Sequence, residues 1–206
     1  MKIDLTDVQT VYQGFFRMVR ALLRYERFDG DWSKQKPWEC LERGEAAAVL
    51  MYDPAADVVL MVRQFRVGAW LPTQSGGWTW EFPAGVCDGP DPDATARREV
   101  LEETGYQLSE LIHVQKLFVS PSYSSERTHF YLGLFDSRQT PNGGGGLAAE
   151  NEDIGVELLT FDAAWTMMEE GRIDSLSPVL ALYWLARYRE RLQRDAGVAG
   201  AAREID

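Results

Sequence analysis

The sequence is poor in residues that staple a chain or chelate a metal. Its 206 residues include 2 cysteines and 2 histidines. Cys40 and Cys87 are too few and too far apart for a disulfide framework or a zinc site, and read as reduced thiols of a reducing compartment. His113 and His129 fall on predicted strands without companion ligands at zinc spacing and read as structural. Positive charge is also scarce. Lys and Arg total 21 against 32 Asp and Glu, leaving a net charge of −11. That balance disfavours a protein that tracks a nucleic-acid backbone, which needs basic stripes. It leaves room for a small anionic nucleotide, because bound divalent ions reverse the local potential. No apolar run reaches membrane-spanning length, and Met1-Lys2-Ile3-Asp4 opens no signal-peptide core. The expectation is a soluble, cytoplasmic protein with neither a nucleic acid nor a membrane as partner.

What is present suits a well-packed domain. Apolar residues make up 45% and aromatics 12%, enough to exclude a disordered chain, and the length allows one domain with an extension. Residues 8–29 are apolar-rich and fit strand or helix. Asp29-Gly30 marks a turn, and Trp38 to Leu41 resumes an extended pattern. Ala46 to Tyr52 and Val58 to Phe65 read as a hairpin around Asp53-Pro54-Ala55-Ala56-Asp57. Leu71 to Trp78 reads as a loop. Further strands are expected at 111–119, 128–135 and 156–161. Asp162 is placed to cap a helix ending at Gly171, and Ser177-Pro178 to start a long helix reaching about Arg194, before a frayed Ala/Gly-rich tail. There is no internal repeat. Strands before and after a central helix, with helices at the end, predict an α/β fold with a mixed sheet between helical layers.

The central helix carries the chemistry. Asp91 caps it, Pro92 suits its first position, Asp93 favours the positive end of its dipole, and Gly105 ends it in a left-handed conformation. Glu99, Glu102 and Glu103 stand at i, i+3 and i+4 and so point the same way. Like charges at that spacing call for a cation, and hard oxygen donors suit Mg²⁺ or Mn²⁺. Ala94 and Leu101 project opposite the glutamates and are expected to pack on the core.

These residues carry a resemblance. Gly85 to Tyr106 resembles the Nudix box, G-x5-E-x7-R-E-U-x-E-E-x-G-U, at Gly85, Arg98, Glu99, Val100, Glu102, Glu103 and Gly105. The sequence departs from it twice. The spacer from Gly85 to Arg98 is one residue short, within the turn Asp88-Gly89-Pro90. Pro90 or Asp91 falls where the pattern has its first glutamate, and Asp91 reads better as a helix cap. The resemblance implies a Nudix-type α/β/α sandwich over 45–206, with an N-terminal β-rich extension at 1–44. In the similar ADP-ribose pyrophosphatases that extension mediates a swapped dimer, which implies a homodimer here.

The same resemblance assigns roles outside the box. In Glu81-Phe82-Pro83-Ala84-Gly85, Ala84 is implied to offer a carbonyl to metal. In Glu150-Asn151-Glu152-Asp153, after the glycine run 143–146, Glu150 is implied to act as base or water-positioner and Glu152 to contact metal. Ser120-Pro121 with Ser125-Glu126-Arg127 is similar to the ADP-ribose subgroup and turns Glu126 toward the terminal ribose or the metals. Arg66, with Arg63 as the alternative, is placed to hold the diphosphate through its guanidinium, since strand alternation puts Gln64 and Arg66 on one face. Phe28 or Trp38 would stack on the adenine. The implied reaction is hydrolysis of ADP-ribose to AMP and ribose 5-phosphate. It would use two or three Mg²⁺ ions, with Mn²⁺ as substitute, on Ala84, Glu99, Glu102, Glu103 and Glu152, and Arg98 would orient the glutamates. The alternatives are a pyrophosphatase for another nucleoside diphosphate sugar such as GDP-mannose, and a non-catalytic nucleotide-sensing module.

Overall fold

The computed structural model describes the backbone of residues 1–201 and the side chains of residues 1–149 and 151–197. The chain divides into two compact units. One comprises Met1–Ala46 with Lys116–Thr128, and the other Ala47–Gln115 with residues from His129 onward.

The first unit is built on three antiparallel strands, β1 (Ile3–Gln13), β2 (Arg17–Tyr25) and β3 (Lys36–Glu42). The ambiguous stretch 8–29 thus holds the end of β1, a turn and β2, and the ion pairs Arg24–Asp4 at 2.8 Å and Arg17–Glu42 cross between strands. Leu41 bridges to Ser124, and its N–H donates to the Tyr123 carbonyl at 2.8 Å.

The strands that follow are β4 (Glu45–Asp53), β5 (Val58–Phe65), β6 (Trp78–Glu81), β7 (Ala84–Val86), β8 (Glu110–Phe118), β9 (Arg127–Leu134) and β10 (Gly155–Thr160). They form one sheet in the order β10-β5-β4-β9-β8, with β6 paired to β5 and β7 to β4. Strands β4 and β5 are buried on both faces, which explains their near-continuous apolar sequence. Alternation sends Ala48, Leu50, Tyr52, Val59 and Met61 into one core cluster and Ala47, Val49, Met51, Leu60 and Val62 into another. The first cluster is completed by α3 (Phe161–Glu169) and α4 (Leu176–Ala201), through Phe161, Ala164, Ala181, Leu182 and Leu185. The second is completed by α2 (Pro92–Thr104), through Ala96 and Val100. The result is an α/β/α sandwich.

Several expectations are corrected. The stretch read as loop is preceded by a short helix, α1 (Val67–Trp70), too brief to show a period. The cap of α3 is Thr160, whose hydroxyl accepts from Ala163 N–H at 3.2 Å, rather than Asp162. Asp162 instead pairs with Arg189 at 3.0 Å. Helix α4 runs past Arg194 to Ala201, so residues 195–201 are helical. The rest of the expected frayed tail lies outside the described residues. Most consequentially, Ala94 and Leu101 of α2 are exposed, and the buried stripe is Thr95, Ala96, Val100, Glu103 and Thr104.

Candidate active site

Helix α2 forms where its local signals place it. The Asp91 carboxylate accepts from Asp93 N–H at 3.0 Å and Ala94 N–H at 3.3 Å, Pro92 follows, and Gly105 ends the helix at φ 74°. Its inward stripe carries Glu103 into the domain at 2% exposure. An ionised carboxylate there is costly, and burial, followed by the nearby charges of Glu99 and Glu152, pushes it up to about 9. A hydrogen bond from the Ala84 backbone partly offsets this, and the Arg66 charge acts the same way. Glu103 Oε2 is buried without any hydrogen-bond partner.

Glu99 lies one turn earlier, 13% exposed, packed against the backbone of Gly85: a Cβ built on Gly85 would sit 2.0 Å from the Glu99 carboxyl carbon. Arg98 gathers three carboxylates, Glu99 at 2.8 Å, Glu102 at 2.9 Å and Asp88 at 3.5 Å. Two of the three, Glu99 and Glu102, belong to the helix itself. Glu152 stands on the following loop, where its Oε2 accepts the Leu147 N–H at 3.0 Å. Glu150 ends a 3-10 turn, Ala148–Glu150, and its side chain lies outside the described residues.

Arg66 directly follows β5. Its guanidinium holds Glu81 through two bonds, Nε at 2.9 Å and Nη2 at 2.7 Å, and this pairing raises its pKa above the ordinary value. The Gln64 side-chain amide donates to the same carboxylate at 3.5 Å, as the Thr79 hydroxyl does at 2.7 Å, so Gln64 and Arg66 meet on one carboxylate. Arg63 points the other way, 5.6 Å over the ring of Trp80. Glu81 is the residue that sequence reasoning passed over. Its pairing with Arg66 and Gln64 follows from the antiparallel register of β5 and β6, which sets Gln64 opposite Thr79 and Val62 opposite Glu81.

Phe28, Trp38 and Glu126 belong to the first unit. There Phe28 is 97% exposed, Trp38 lies beneath Lys36 Nζ at 3.9 Å, and Glu126 is 3.9 Å from Arg43. His113 and His129 pack as a ring pair, 5.6 Å between centroids.

The residues around Glu103 suit a hard divalent cation. All donors are oxygens, one buried carboxylate oxygen lacks a partner, and like charges converge on it. Among the described residues no three His, Cys, Asp or Glu side chains close tightly enough to enclose an ion. Arg98 draws Glu99 and Glu102 to itself, and Glu152 turns to Leu147.

Comparison with known proteins agrees with this geometry. Residues 42–181 match the model of the NUDIX domain. A protein of Haemophilus influenzae named ADP-ribose pyrophosphatase is 38% identical, over 93% of this chain and 89% of its own length. An Escherichia coli K12 protein of the same name is 34% identical, over 94% and 92%. A GDP-mannose pyrophosphatase of Escherichia coli is 33% identical, over 89% and 95%. A crystal structure described as an ADP compounds hydrolase shares the fold, at a TM-score of 0.74 and 21% identity over 94% of this chain and 97% of that one. With the carboxylate helix, the sandwich and these relatives in agreement, the chain belongs to the NUDIX family and is a hydrolase similar to ADP-ribose and GDP-mannose pyrophosphatases.

Proposed function

We propose that the protein hydrolyses the diphosphate bond of ADP-ribose, giving AMP and ribose 5-phosphate, with Mg²⁺ as cofactor and Mn²⁺ as substitute. The observation that carries this reading is the buried Glu103, whose Oε2 has no hydrogen-bond partner and whose carboxyl feels the charges of Glu99 and Glu152. The names and nearly full-length similarity of the relatives support the substrate assignment.

Two or three ions on Glu99, Glu102, Glu103, Glu152 and the Ala84 carbonyl would neutralise the diphosphate and lower the pKa of water. Arg98 holds Glu99 and Glu102 in orientation through charge-assisted hydrogen bonds. Glu150 positions the attacking water and takes its proton. Arg66, already aligned by Glu81, presents its guanidinium to a phosphate, with Arg63 in reserve. Stacking on the base is assigned to Phe28 or Trp38, and contact with the terminal ribose to Glu126. The protein works as a cytoplasmic homodimer, and no helix among the described residues is long and apolar enough to cross a membrane.

GDP-mannose is the second reading, favoured by a relative of that name at 33% identity. The test is product analysis with ADP-ribose and Mg²⁺. Equimolar AMP and ribose 5-phosphate are expected, and a stable unhydrolysed complex would instead indicate a nucleotide-sensing module.

A further inference from the structure

The glycine run 143–146 reads in the sequence as a flexible lead into an acidic loop, yet its backbone is tied to the end of α2. The last turn of a helix leaves carbonyls without partners inside the helix. Here the loop supplies the donors. Gly146 N–H reaches the Glu102 carbonyl at 3.2 Å, Gly145 N–H the Glu103 carbonyl at 2.8 Å, and Asn142 N–H the Gly105 carbonyl at 2.9 Å. Two of these acceptors belong to the residues whose side chains form the carboxylate face. The returning strand of the loop is held as well. Ile154 N–H donates to the Gly145 carbonyl at 3.1 Å, Glu152 N–H to the Leu147 carbonyl at 3.3 Å, and Leu147 N–H to Glu152 Oε2 at 3.0 Å.

The close approach needs glycine at two positions. A Cβ on Gly144 would lie 2.6 Å from the Thr104 carbonyl carbon, and one on Gly146 would lie 2.7 Å from Glu152 Cβ. Both have left-handed backbones, at φ 93° and 83°. Gly143 supplies the contrast: its φ is 86°, yet a Cβ there would meet nothing within 4 Å. It carries the conformational demand without the contact.

We propose that Gly144 and Gly146 are positioning residues that clasp the loop to the C-terminus of α2, so that Glu152 and the glutamates of the helix are carried as one body. The run is a fastening rather than a hinge. The proposal rests on the reading of these glutamates as metal ligands.

The test compares wild type with Gly143→Ala, Gly144→Ala and Gly146→Ala. Each is followed for its Tm in EDTA, its Tm gain on adding Mg²⁺ or Mn²⁺ without substrate, and its kcat, KM and Mg²⁺ activation constant with ADP-ribose. All three variants should lose Tm in EDTA from left-handed strain alone. Gly143→Ala should keep the wild-type Tm gain and activation constant. Gly144→Ala and Gly146→Ala should need at least about tenfold more Mg²⁺ and lose up to about a hundredfold in kcat, with KM unchanged, as displacement near 1 Å in a catalytic group can do. Gly146→Ala displaces a side chain rather than backbone, so it decides the matter alone if Gly144→Ala does not fold. Wild-type metal response in Gly146→Ala, or an equal loss in Gly143→Ala, overturns the clasp. A wild-type protein stabilised by neither ion overturns the clasp together with the ligand assignment. A protein stabilised by Mg²⁺ that leaves ADP-ribose intact overturns only the substrate, and the Tm gains still judge the clasp.

Discussion

The carboxylate of Glu99 rests on the backbone of Gly85, where any Cβ would lie 2.0 Å from its carboxyl carbon. Gly85 is therefore required for space rather than for an unusual backbone angle. Gly85→Ala should displace Glu99 and lower kcat by about ten- to a hundredfold, with a misplaced group costing at most about the latter. The fold should survive, as read by circular dichroism. Wild-type kcat in this variant would mean that the position of Glu99 does not matter.

Glu103→Gln should separate activity from stability. If Glu103 is a metal ligand as proposed, turnover should fall below about a tenth of wild type. In EDTA the variant should be the more stable protein at pH 8. The sign follows from burial: the folded protein holds the Glu103 proton up to about pH 9, against an ordinary 4.5. That contribution is complete below the ordinary value and declines as pH rises toward the folded one. Thermal unfolding between pH 5 and 9 should therefore show a downward slope in wild type that the glutamine variant lacks. Parallel curves would contradict the buried, proton-retaining carboxylate.

The caps of α2 were legible because they are local: the Asp91 carboxylate reaches N–H groups two and three residues on, and Gly105 supplies the left-handed turn. The double burial of β4 was legible in its unbroken apolar run. The facing of α2 was not. Sparing the core from charge predicts Ala94 and Leu101 inside, but tertiary packing turns Ala96, Val100 and Glu103 inward and sets a carboxylate in the interior. Thr160 and Asp162 are both good caps two residues apart, and sequence alone does not rank them. The bonds from Gly145 and Gly146 to the end of α2 span about forty residues of chain and leave no local pattern beyond glycine itself.

Arg66→Lys should be as damaging as Arg66→Ala. The Glu81 carboxylate aligns a planar fork through two bonds at 2.9 and 2.7 Å, and an ammonium cannot reproduce that geometry. Both variants should raise KM by at least about tenfold, the value of a lost charge-assisted hydrogen bond. Steady-state kinetics decides. A lysine variant with wild-type KM would show that only charge is needed, or that Arg63 holds the diphosphate.

Arg189 ties α4 to the β4–β5 turn by bonding Asp57, which also accepts the Tyr52 hydroxyl at 2.8 Å. Burial pulls the Asp57 carboxyl upward, but the Arg189 and Tyr52 hydrogen bonds prevail and hold it below 3.8. Its contribution to stability is therefore present above that value and lost as pH falls through the lower folded one. Arg189→Leu should cost about 2 kcal/mol at neutral pH. Denaturant titrations should show the difference shrinking below pH 4. A gap that persists at pH 2 would assign the loss to packing of Arg189 over Phe161, 4.3 Å from its ring centroid.

The central claim, an ADP-ribose diphosphatase, is tested most directly by kcat/KM measured side by side for ADP-ribose, GDP-mannose, NADH and diadenosine polyphosphates in Mg²⁺. The account predicts ADP-ribose ahead by at least about tenfold, a discrimination of about 1.4 kcal/mol in the transition state. GDP-mannose turned over equally well or faster would contradict it.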